Sequence, residues 1–207
     1  MAFIKNGTLR QHPGDEREQP RDLAALVRQL GDPDPAVRRW AARDLLPHPQ
    51  GTAALVGRLQ VEQDSAVREV ILTALARAGD PIAVAGLVEC LRSEDAQLRN
   101  EAIEAMKALP DEMAPVMGGL LSGPDPDVRI LAVNILESLP HPQVEAWLVG
   151  VIERDPVVNV CATAVDLLGE VGTTAAHGAL VRLKQRFADE PYIQFAADLA
   201  LQRITKT

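Results

Sequence analysis

The sequence predicts an all-α protein built as a right-handed α-solenoid, an α-α superhelix of about six helix pairs. Three observations predict it. A phrase of the form Asp-Pro/Ser-x-Val-Arg-x-x-Ala-x-x-x-Leu recurs, with small variations, from Asp34 to Leu45, Asp64 to Leu75, Asp95 to Met106 and Asp125 to Leu136, with a degraded copy from Asp155. Its marker residues Arg38, Arg68, Arg99, Arg129 and Asn159 follow one another at steps of 30, 31, 30 and 30. In the copy from Gly123 to Leu139, Val128, Leu131, Ala132, Ile135 and Leu136 fall at i, i+3, i+4, i+7 and i+8, one face of an α-helix. A fixed period of this length outranks chain length as a guide, so the 207 residues are read as an array rather than as one or two ordinary domains.

Residues 1–21 stand apart. They show no helical period, and His12-Pro13-Gly14-Asp15 through Arg21 is polar and broken by proline and glycine. The segment reads as an extended arm, with Phe3 to Leu9 offering at most a marginal Asn-Gly hairpin. The helical grammar then fills residues 22–207. Leu23, Leu26, Val27 and Leu30 make the first short helix, and equivalent first helices precede each marker, at Ala53 to Leu59, Ile82 to Leu91, Met113 to Leu121, Val144 to Ile152 and Thr174 to Phe187. Each repeat is a first helix, an acidic turn and a second helix, giving repeats at about 22–47, 51–78, 82–109, 112–139, 143–171 and 174–206. Proline stops the second helix at Pro47, Pro81, Pro110 and Pro140, and Gly172 does so in the fifth copy. The last copy has a longer first helix and Ile193-Gln194 in place of Val-Arg, as a terminal repeat closing an open core should.

Composition bounds the function. Hydrophobic residues are 47% but aromatics only 3%, so Ala and Leu fill the core and helices pack closely. A net charge of −8 argues against a general nucleic-acid or anionic-membrane binder, which needs clustered Lys and Arg. No apolar run approaches the ~18 residues that span a bilayer. Cytoplasmic placement is the expectation, with Cys90 and Cys161 as buried free thiols.

The recurring Asp34-to-Leu45 phrase and its copies resemble the HEAT-repeat family, specifically the short, roughly thirty-residue, armadillo-like repeats found in bacterial proteins and in the phycobilin lyase group. The resemblance covers nearly all of residues 22–203. It implies that the second helices line the concave side.

Each Asp before a second helix is a natural N-cap. The marker Arg can reach the Asp of its own turn or of the next repeat, so Asp34, Arg38, Asp64, Arg68, Asp95, Arg99, Asp125 and Arg129 are read as a structural ladder. The outward positions of the second helices supply a candidate partner-binding face of Arg39, Arg43, Glu69, Leu72, Ile103, Glu104, Ile130, Val133 and Val160. The column four residues after the marker, Ala42, Leu72, Ile103, Val133 and Thr163, is almost wholly apolar. It is either an exposed interaction stripe or the seam between repeats, and sequence alone leaves both open.

No phosphate-cradling glycine loop, His-Glu-x-x-His or Gly-x-Ser-x-Gly motif is present, and Gly118-Gly119 reads as a close-packing spot. His48 and His141 occupy equivalent turns about 30 Å apart by stacking distance, too far to share a metal. Trp40 and Trp147 are expected to serve in packing. No catalytic residue, metal or cofactor is therefore assigned. The function expected is a non-enzymatic protein–protein interaction scaffold with a protein partner and without nucleic acid or membrane. The alternative is a bilin lyase-like or other cofactor-handling chaperone or enzyme, resting on the resemblance alone. DNA binding of the kind found in some HEAT-like glycosylases conflicts with the acidic balance.

Overall fold

Side chains of the marker acids start the helices. Asp22, Asp34, Asp64, Asp80, Asp95 and Asp125 accept hydrogen bonds at 2.7–3.0 Å from backbone N–H groups two or three residues on, satisfying donors that a helix start leaves open. Pro35, Pro81, Pro110, Pro126 and Pro191 sit at first helical positions, where the missing N–H is no loss. In this computed structural model, which describes residues 22–205, the result is twelve α-helices and no strand among the described residues. The arm expected over residues 1–21 lies outside them. No described helix is long and apolar enough to cross a membrane.

The helices are α1 Leu23–Gln29, α2 Pro35–Asp44, α3 Thr52–Leu59, α4 Ser65–Ala78, α5 Pro81–Cys90, α6 Ala96–Lys107, α7 Pro110–Leu121, α8 Pro126–Leu136, α9 Val144–Arg154, α10 Val158–Val171, α11 His177–Arg186 and α12 Pro191–Ile204. This is an all-α chain of the α-solenoid class. It divides into two units, one up to Ala74 and one from Leu75 onwards. In the first, α1 packs on α2, and the short 3-10 turn Pro49–Gly51 packs against α1 and α3. In the second, the odd helices touch in succession from α5 to α11 and the even helices from α6 to α12, so helix pairs stack in two layers. The core of this unit lies between those layers, with Leu87, Met106, Met113, Ile135, Leu148, Leu168, Leu180 and Ile193 fully buried.

Gly79 is the one described residue with positive φ, at 55°, and its N–H bonds the Leu75 carbonyl at 3.0 Å. That is the left-handed cap that ends α4 and turns the chain into α5.

Candidate functional site

The second-helix surface separates into two classes. Arg39, Arg43, Glu69 and Glu104 are exposed, Ile130 is half-buried, and Leu72, Ile103, Val133 and Val160 are buried. The apolar column is therefore seam, not open stripe, and those four aliphatic residues leave the candidate partner face. The reason is geometric: from α6 onwards each even helix packs on the next even helix as well as on an odd helix, so its buried arc is wider than the single-contact arc assumed from sequence. In the second unit this brings Ile103, Val133 and Val160 into the contacts among α6, α8 and α10.

The ladder is wired differently in part. Asp34, Asp64, Asp95 and Asp125 cap helices, Arg38 and Arg99 bind other groups, and Arg129 reaches Asp155, the acid that opens the next copy. Arg38 donates from Nε and Nη2 to the two Glu62 carboxylate oxygens, both at 2.8 Å, and from Nη1 to the carbonyls of Asp32 and Pro33. Arg58 donates to the same Glu62 at 2.7 Å. Burial opposes charge on Glu62, but the bonds from Arg38 and Arg58 outweigh it and hold its pKa at about 2. Arg129 repeats the arrangement, donating to Asp155 at 2.6 and 3.0 Å and to the Gly123 and Pro124 carbonyls. Its pKa is raised, chiefly by the Asp155 bond. Arg99 donates to the Ser93 carbonyl at 2.6 Å, and Arg68 is buried.

Two clefts lie on the first-helix layer. One cleft of about 540 Å³ runs between α7 and α9, lined by Gly118, Trp147, Gly150, Arg154, Pro156 and the Arg129–Asp155 pair. A second of about 820 Å³ lies between α5 and α7, walled by Val84, Val88, Pro115, Val116 and Gly119, with Glu89, Arg92 and Glu112 at its polar edge. Both volumes lie in the roughly 300–1,000 Å³ typical of small-molecule and cofactor sites. They flank α7, whose outward face carries Pro115, Gly118 and Gly119. A Cβ built on either glycine meets nothing within 4 Å, so these residues open space rather than pack closely as expected. Gly118 lines the first cleft and Gly119 the second.

The polar and aromatic groups of the first cleft suit a flat ligand. Trp147 is half-buried and stacks on His141 with ring centroids 4.9 Å apart and planes 16° from parallel, so it forms a wall rather than part of the core. The exposed Arg154 side chain folds back over Gly150, its Nη2 2.5 Å from where a Cβ there would sit. Trp40, by contrast, lies under the Arg43 guanidinium, 5.4 Å from its ring centroid. Cys90 and Cys161 are buried free thiols, and burial pushes the Cys161 thiol up.

The profile of HEAT repeats matches residues 22–107 and 114–202, well over half of the chain. The chain is a HEAT-repeat protein. Bilin biosynthesis protein PecE of Mastigocladus laminosus is 43% identical to it over 75 residues, 35% of this chain and 28% of that protein. The PecE of Nostoc sp. is 40% identical over 75 residues, 35% of this chain and 30% of that protein. The HEAT-repeat protein thus spans under a third of the length of these curated relatives in the matched region. Among solved structures, the CpcE–CpcF complex of phycocyanin lyase from Nostoc sp. PCC7120 is 18% identical with a TM-score of 0.38, covering 96% of this chain and 98% of that one. A designed armadillo repeat protein is 18% identical with a TM-score of 0.38, covering 88% and 100%.

The relatives correct one expectation. A chain without a catalytic motif is expected to be non-enzymatic, yet two proteins 43% and 40% identical to it over 75 residues are named for bilin biosynthesis. A protein that acts by holding and orienting a reactive cofactor needs no fixed spacing of nucleophile, acid and base, which is the signal sequence reading relies on.

Proposed function

We propose that the HEAT-repeat protein handles a bilin-type linear tetrapyrrole as a lyase-like protein that presents it to an acceptor protein. The observation that carries this reading is the 43% identity over 75 residues with a bilin biosynthesis protein. The first-helix layer supports it. A linear tetrapyrrole is long, conjugated and anionic through its propionates. It therefore needs an elongated trough, an aromatic wall and a cation, and the paired clefts across α7, Trp147 and Arg154 supply them. Trp147 would stack on the conjugated system, and Arg154 would pair with a carboxylate. Gly118 and Gly119 would let the ligand cross the α7 backbone, where any side chain would block it. The chemistry the tetrapyrrole supplies is its own reactive vinyl or ethylidene carbon, and the chain's part is to bind, orient and shield it.

The test is a titration of the purified chain with biliverdin, followed by the visible absorption of the pigment. Saturable binding with a band shift is expected, weakened about tenfold or more by Trp147→Ala or by Gly118→Leu/Gly119→Leu. An unchanged spectrum, or binding indifferent to filling the clefts, would count against the reading.

A further inference from the structure

The last helix pair carries a surface that the tetrapyrrole reading leaves unused. α12 exposes Tyr192, Phe195 and Leu199, at 53, 67 and 38%. These fall at i, i+3 and i+7, so they form a stripe about 10 Å long on one side of the helix. The core side of α12 is separately filled by Ile193, Ala196, Ala197, Ala200 and Ile204. Three large apolar side chains on a helix that already has its core contacts amount to a second, unpartnered face.

The stripe is continuous with an acidic groove. Tyr192 Oη donates to Asp166 Oδ2 on α10 at 2.7 Å, which ties the start of the stripe to the neighbouring helix. Asp166 in turn lines a groove of about 190 Å³ between α8 and α10, together with Glu137, Glu170, Asn134, Thr163 and Leu167. Glu137, Asp166 and Glu170 are all exposed. Arg203 brings positive charge near Gly169 at the far end of the stripe, and Lys184 is already paired with Asp198 on α12. The face thus offers an aliphatic-aromatic ridge beside three carboxylates, in a chain whose net charge is already −8.

We propose that the face formed by α8, α10 and α12 docks a cationic amphipathic helix of a partner protein, its aliphatic edge on Tyr192, Phe195 and Leu199 and its lysines or arginines over Glu137, Asp166 and Glu170. A helix is the fitting occupant because a stripe at i, i+3 and i+7 meshes with the same spacing on a facing helix. Positive charge is fitting because the carboxylates steer and register such a partner. A second copy of this chain is the poorer occupant, because pairing α12 with itself would bring two sets of these carboxylates together. The proposal is independent of whether the clefts around α7 hold a tetrapyrrole.

The test uses the full chain and a synthetic Leu/Lys helical peptide of about 18 residues, long enough to hold helical structure. Controls replace every Lys with Glu, or every Leu with Ser, and binding is read by fluorescence anisotropy of the labelled peptide. The Leu/Lys peptide should bind, and both controls should bind at least tenfold more weakly. Phe195→Glu should reduce affinity about tenfold or more without altering helical circular dichroism. Asp166→Lys/Glu170→Lys should invert the preference towards the Leu/Glu peptide. Equal binding of the Lys and Glu peptides, or no effect of Phe195→Glu, would overturn the proposal. So would a dimer in sedimentation that Phe195→Glu dissolves, which would assign the face to a second copy.

Discussion

Arg186 donates to the Glu153 carbonyl at 2.5 Å and to the Asp155 carbonyl at 2.9 Å, taking the place of an arginine that the fifth repeat lacks. Glu153 stands six residues before Asn159. In the copies around Arg38, Arg99 and Arg129, the carbonyl six residues before the marker accepts from the marker's own guanidinium, at 2.6–2.9 Å. The turn requires a guanidinium at this point, and α11 supplies it from the following pair. Gln194 solves the same problem in the last repeat, donating to the Lys184 and Phe187 carbonyls at 2.8 and 3.0 Å. Arg186→Ala should therefore destabilise the chain by roughly 1–2 kcal/mol, the worth of charged hydrogen bonds at a partly exposed turn. In the Arg186→Ala background, Asn159→Arg should recover part of the loss, measured by urea denaturation.

Acid should unfold the first unit in a defined window. Glu62 is ionised in the folded state down to about pH 2, against an ordinary value near 4.5. Its depressed pKa contributes stability that is fully present above about pH 4.5 and fades as the pH falls towards 2. The contribution is on the order of 3 kcal/mol for a fully buried side chain. Glu62→Gln should flatten the stability profile between those limits, as followed by thermal melts at stepped pH.

Breaking the Arg129–Asp155 pair should be costly from one side and milder from both. Both side chains are under one-tenth exposed. Arg129→Met would leave Asp155 charged and buried, at about 3–5 kcal/mol. Adding Asp155→Leu should restore a good part of that loss, although the bond from the Val157 N–H to Asp155 is lost as well. A double-mutant cycle in denaturant measures the coupling.

Glycines should divide by their surroundings. Gly118→Ala and Gly119→Ala, in open space on a helix, should each stabilise by about 0.5–1 kcal/mol. Gly79→Ala, at φ 55°, should destabilise by about 1–2 kcal/mol. Calorimetric melting temperatures separate the two signs.

The period of the markers and the spacing of apolar residues were enough to place the helix pairs, because each copy states the same instruction and errors in one are corrected by the next. Helix starts were legible for the same reason: an aspartate followed by proline or a small residue has few other uses. The wiring of the arginines was legible only in part: a bond from Arg129 to the acid of the next copy is the kind of link the spacing suggests, but the partners of Arg38 and of the turn before Asn159 are not. Glu62 looks like any surface glutamate in a run of polar residues, and Arg186 is not part of the repeated phrase, so nothing local marks either as a partner 24 or 31 residues away. The clefts were hidden because they arise in part from absent side chains at Gly118 and Gly119, and a glycine in a helix pattern carries no label saying whether it admits a neighbour or leaves a gap. The aromatic ridge on α12 lies outside the repeated phrase, so no other copy marks Tyr192, Phe195 or Leu199 as a shared outward position.

The guanidinium wiring also limits how such a protein can evolve by copying its own units. The repeats share a phrase, yet Arg38 needs a glutamate at the close of α3, Arg129 an aspartate after α9, and Asn159 an arginine lent by α11. A duplicated or transposed unit would arrive with its arginine facing a turn that lacks the matching acid, stranding a buried cation. The copies around Arg38, Arg129 and Asn159 are thus keyed to their successors, and duplicating one of them keeps its pairing only where the new neighbour brings the right counterpart.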